Sequence, residues 1–123
     1  MDVIDALWAQ IEPFAMITRE YFERGLDAWD VEPVEIDGEL AFVKLQQGPE
    51  FHFASFDTGR PITPAMIRDW LGPIFDRYGY VTTTTPKDEA RQHRFNRRMG
   101  FKIVGESEFF THFRMDGGGK FQL

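Results

Sequence analysis

From Tyr80 to Glu106 the chain switches between extended and helical signals within a few turns, and few folds accommodate that. Tyr80-Val81-Thr82-Thr83-Thr84-Thr85 is a strand-like run that stops at Pro86. Lys87 to Met99 reads as a short charged helix. Met99-Gly100-Phe101-Lys102-Ile103-Val104-Gly105-Glu106 then turns through a glycine into another strand.

Ile4, Leu7, Trp8 and Ile11 fall on one helical stripe. Pro13 suits the first turn of a second helix carrying Phe14, Ile17 and Tyr21 and stopping at Gly25. After Pro33 the pattern becomes extended: Val34-Glu35-Ile36, a hairpin turn at Asp37-Gly38, then Leu40 to Leu45. Gln47-Gly48-Pro49 is a further turn. Glu50 to Phe56 reads as a buried strand, because Phe51, Phe53 and Phe56 are too apolar for an exposed edge. Thr63 is a good N-cap with Pro64 behind it, and Ile67, Trp70, Leu71, Ile74, Phe75 and Tyr78 continue at helical spacing. Pro73 has no N–H for the carbonyl of Asp69, so a kink is expected there. Strands at Lys102–Ser107 and Phe109–Met115 close the pattern, followed by a flexible glycine-rich tail at 116–123. The expected class is α+β, in the order ααβββαβαββ. It forms a single domain over 1–123, with N-terminal helices in 1–30 and the sheet with its helices in 34–115.

Composition excludes several chemistries. There is no cysteine, so disulfides, thiolate nucleophiles and cysteine-based zinc sites are absent. His52, His93 and His112 are dispersed, and no metal site is expected. There is no Walker loop, dinucleotide fingerprint or Gly-x-Ser-x-Gly. The start, Met1-Asp2-Val3-Ile4-Asp5, is acidic and does not read as a signal peptide, and no apolar run suits a membrane helix. The expected place is a cytoplasm, or a larger particle such as a virion that packages the protein. Residues 1–40 hold 11 acids and 2 bases, whereas 81–123 hold 8 bases and 5 acids. Such asymmetry fits either oppositely charged solvated faces or an oriented contact with a charged partner.

The strand, helix and glycine-phenylalanine passage resembles the C-terminal half of the GNAT (GCN5-related N-acetyltransferase) fold. The order of elements over 34–115 is similar to that family's arrangement. His93-Arg94-Phe95 followed by Gly100-Phe101 also resembles small GNAT-like proteins of tailed phages, of the head-assembly or internal-virion type.

The resemblance implies three roles that can be sought here. Acetyl-CoA pyrophosphate would sit at the loop before the long helix, where converging backbone N–H groups and glycines are needed. That loop is Phe56-Asp57-Thr58-Gly59-Arg60-Pro61-Ile62-Thr63-Pro64, in which two prolines delete donors and Asp57 adds negative charge. Gly59, Arg60 and Thr63 are the cofactor-binding candidates it retains. The family's general acid is a tyrosine four residues before the Gly-Phe pair, and Asn96 stands there. An amide has no proton to give, so the acid is missing unless His93, one turn earlier, replaces it. A base is sought on the strand before the loop, where Glu50 and His52 point to one face. The plainer readings are structural: Glu50 starts the strand, His52 is an interior histidine and His93 belongs to a basic helix surface. Loss of loop and tyrosine together points to an abandoned site.

Arg91, Arg94 and Arg98 share a helical face with Arg97 at its flank. The whole-chain acidity and the lack of interleaved aromatics argue against nucleic acid. A protein partner with an acidic surface suits these arginines better, and the acidic N-terminal half of another copy is one such surface. The expected function is therefore a non-catalytic GNAT-fold protein with a structural or assembly role in a multi-protein complex such as a phage virion. The alternative is an acetyl-CoA-dependent N-acetyltransferase using Glu50 or His52 as base and Arg60 for the cofactor.

Overall fold

A computed structural model describes residues 2–56 and 58–117. Its elements are α1 (Val3–Ile11), α2 (Arg19–Leu26), β1 (Asp30–Ile36), β2 (Glu39–Gln47), β3 (Glu50–Ser55), α3 (Pro64–Tyr78), β4 (Tyr80–Pro86), α4 (Ala90–Met99), β5 (Lys102–Glu106) and β6 (Phe110–Asp116). The class is α+β, with a mixed six-stranded sheet in the order β1-β2-β3-β4-β6-β5. The antiparallel pairs β1/β2, β4/β6 and β5/β6 flank one parallel pair, β3/β4, joined at Glu50 opposite Thr82.

Two compact units are formed. The first comprises Met1–Gln47 with His52–Arg60, and the second Gly48–Phe51 with Pro61–Leu123. In the first, Ala6 and Leu7 of α1 and Ala41, Phe42 and Val43 of β2 are buried. Trp8 meets Phe22 at 5.5 Å between ring centroids, and Phe42 meets Phe53 edge to face at 6.4 Å. Arg19 at the start of α2 binds both Asp5 of α1 and Glu23, and these two hydrogen bonds raise its pKa above the usual arginine value. The β1–β2 turn is the expected one: Asp37 and Gly38 both have positive φ, 53° and 80°, as a two-residue type I′ turn requires.

The second unit buries Phe51, Ile67, Leu71, Ile74, Val81, Met99, Phe101, Phe113 and Met115. The alternation along β6 is clean. Val81 and Thr85 face inward with Thr111, Phe113 and Met115, while Arg114 and Asp116 stay exposed. α3 starts as expected, with Thr63 Oγ1 accepting from the Met66 N–H at 3.2 Å. It continues as one helix through Gly72-Pro73 and ends at Gly79, whose φ of 81° is the usual left-handed stop.

Three boundaries differ by three or more residues from those expected from the sequence. Pro13 lies in a short 3-10 turn, Glu12–Phe14, and not in α2. α2 starts six residues later because Thr18 caps it, its hydroxyl accepting from the Tyr21 N–H. Ile17 and Tyr21, expected on its apolar side, are 44% and 63% exposed. β1 begins at Asp30 and contains Pro33, which an edge strand tolerates because one side of it needs no ladder donor. Lys87 belongs to a turn before α4, where its N–H donates to the Phe109 carbonyl at 3.0 Å. Of the expected glycine-rich tail, Asp116 ends β6, and 118–123 lie outside the described residues.

Candidate functional site

α4 turns Gln92, Asn96 and Met99 toward the sheet at i, i+4 and i+7. Asn96 is 3% exposed and Thr85 of β4 is also 3% exposed. The Asn96 amide donates from Nδ2 to Thr85 Oγ1 at 2.9 Å, and its Oδ1 accepts from Gln92 Nε2 at 3.0 Å. The Asn96 main-chain carbonyl accepts the Phe101 N–H at 3.0 Å, just past Gly100 with its φ of 108°. One residue thus fastens α4 to β4 and sets the turn into β5. This is the position where the family resemblance puts a proton donor, and here the side chain is buried and hydrogen-bonded at both ends. Its partner Thr85 was not singled out from sequence; the available signal was the period of two in Val81, Thr83, Thr85, which makes Thr85 an inward hydroxyl in need of a partner.

His93 lies one helical turn before Arg97. Its Nε2 sits 3.0 Å from the Pro86 carbonyl, which can only accept, so Nε2 carries the proton and donates it there. The ring stands edge-on to Phe113 at 5.4 Å. His93 therefore clamps the end of β4 beneath α4, and the proton on that nitrogen is already committed.

Glu50 opens β3, half-buried, in the second unit. His52 belongs to the first unit, where its ring meets Trp29 edge to face at 5.5 Å. Each also has further interactions.

The loop candidates are engaged locally. Gly59 has a φ of 72°. Arg60 reaches Asp37 of the β1–β2 turn at 2.5 Å. Its Nε and the Oγ1 of Thr58 are shielded from solvent and have no hydrogen-bond partner. The Thr63 hydroxyl is spent on the α3 cap. Asp57, read from sequence as an unwelcome charge, lies outside the described residues.

Arg91, Arg94, Arg97 and Arg98 are all exposed, on the arc of α4 opposite Gln92, Asn96 and Met99. None of the four makes an ion pair among the described residues. The described residues contain no group of three or more His, Asp or Glu that could hold a metal ion, and no helix long and apolar enough to cross a membrane.

No protein-family model matches the chain, and no curated protein matches it in sequence. Solved structures match it in shape. A GNAT family acetyltransferase from Elizabethkingia anophelis with acetyl-CoA bound has a TM-score of 0.63 at 11% identity, over 80% of this chain and 83% of that one. A ribosomal-protein-alanine N-acetyltransferase from Brucella melitensis has a TM-score of 0.64 at 13% identity, over 92% and 93%. A GNAT family acetyltransferase from Listeria monocytogenes gives 0.57 at 10% identity, over 89% and 76%. The resemblance to phage virion proteins gains nothing from these three. What they share with this chain is architecture: it has the GNAT acetyltransferase fold.

Proposed function

We propose that this is a GNAT-fold protein that has given up the usual acetyl transfer and acts through contact with a protein partner bearing an acidic surface. The observation that carries the reading is the Asn96 side chain, buried and bonded to Thr85 and Gln92 at the position of the general acid. The nearby substitute, His93, spends its Nε2 proton on a backbone carbonyl. Four unpaired arginines on the outer arc of the same helix supply a contact surface. A role in a larger assembly such as a phage virion is the narrower form of this reading, and it rests on the His93–Phe95 and Gly100–Phe101 likeness alone.

A second reading, an acetyl-CoA-dependent N-acetyltransferase, has its own support. The related structure from Elizabethkingia holds acetyl-CoA. Thr58 Oγ1 and Arg60 Nε are shielded and without partners. Two such donors fit a phosphate oxygen, even with the Arg60 terminus on Asp37. In that reading Thr58 and Arg60 hold the cofactor phosphate, and Glu50 or His52 is the base.

A poly-glutamate peptide is a simple probe of the arginine arc. Binding measured by fluorescence anisotropy at low salt is expected to weaken about tenfold in the Arg94→Glu plus Arg98→Glu variant, from two exposed pairs turned repulsive. Affinity that ignores both substitutions removes α4 from the account. Calorimetric titration with acetyl-CoA separates the two readings.

A further inference from the structure

The two edges of the sheet are built differently. β1 carries Asp30, Glu32, Pro33 and Glu35, all exposed, and charges with a proline discourage pairing with another chain. β5, at the opposite edge, places Ile103, Val104 and Gly105 between its terminal charges. Ile103 is 43% and Val104 61% exposed, the turn that follows adds Phe109 at 67%, and the start of β6 adds Phe110 at 42%. Among the described residues the other exposed large hydrophobics are Met16, Ile17 and Tyr21, so this one hairpin of the second unit concentrates most of them. An apolar cluster on a free strand edge marks a contact surface.

The charges of β5 indicate what covers it. Lys102 and Glu106 stand at its two ends. Laid antiparallel against a second β5 about Val104, Lys102 of one protomer meets Glu106 of the partner subunit, and the twofold axis repeats the pair. Ile103 and Val104 then lie between the two ion pairs. The strand is complementary to itself in charge and apolar along its middle. Within one chain Glu106 is 3.5 Å from Lys87 Nζ, an exposed pair of the kind that exchanges partners readily. A register shift leaves Val104 opposite no residue of β6. Such a bulge twists an edge and limits main-chain pairing, so the contact is chiefly one of side chains.

We propose that the chain associates with a second copy of itself through a twofold contact of β5 and the β5–β6 turn. This surface is separate from the α4 arginines and does not depend on the reading of Asn96.

Sedimentation equilibrium of the full chain over a concentration series tests it. The native chain is expected to dimerise in the micromolar range. Lys102→Glu alone and Glu106→Lys alone should each weaken the dimer about tenfold, because both symmetry-related pairs become like-charged. The double exchange should restore it to within about threefold of the native chain. Val104→Asp, at an exposed position, should remove the dimer while leaving the melting curve of the monomer unchanged. A chain that stays monomeric at millimolar concentration overturns the proposal. So does a dimer indifferent to the single reversals, or a double exchange weaker than either single one.

Discussion

Phe113→Ala is expected to lower the unfolding free energy by about 3–5 kcal/mol, the range for removing a fully buried aromatic ring. Phe113 is 0% exposed. It lies on β6 opposite Thr83 of β4 and Ile103 of β5, and the edge of the His93 ring rests against it. The site is enclosed by strands on both sides, so collapse around the deletion is restricted and the cost falls toward the upper end. With a domain of this size stable by about 5–15 kcal/mol, the variant loses much of its margin. Urea denaturation followed by circular dichroism measures the loss. Phe113→Leu keeps most of the volume and should cost less than half as much. Equal small losses for both variants would mean that α4 does not depend on this ring.

Asn96→Ala should cost about 2 kcal/mol in the same measurement. Deleting the amide strands Thr85 Oγ1 and Gln92 Nε2, and leaving a buried polar group unpaired costs about 1–3 kcal/mol. Thr85→Val removes the stranded hydroxyl while keeping its shape. On the Asn96→Ala background it should therefore cost clearly less than on the native one, a coupling that a double-mutant cycle reads directly. Asn96→Tyr, which introduces the side chain that the family resemblance implies as acid, should destabilise, because a ring does not fit a position 3% exposed. A gain of acetyl transfer in that variant would show that the site needed only a proton donor.

Much of the architecture was legible in the sequence because its punctuation is local. Asp37-Gly38, Gly48-Pro49, Thr63-Pro64 and Gly100 each fix a boundary through their own backbone preferences, and the structure places turns, caps or stops at all of them. The start of α2 was less legible, since Pro13 and Thr18 are both good start signals and only the hydrogen bond to the Tyr21 N–H decides between them. Position 96 could be found by counting from Gly100. What Asn96 does could not, because Thr85 is eleven residues away on another element. The same holds for Arg60, whose ion pair with Asp37 spans 23 residues. Residue type announces a candidate, but long-range pairing decides whether its functional group is free.

In the proposed reading the fold is retained while the cofactor loop and the acid on α4 are not. Isothermal titration of the full chain with acetyl-CoA tests it most directly. No saturable heat up to millimolar ligand is predicted. A stoichiometric isotherm with a micromolar dissociation constant would contradict the claim and favour the acetyltransferase reading.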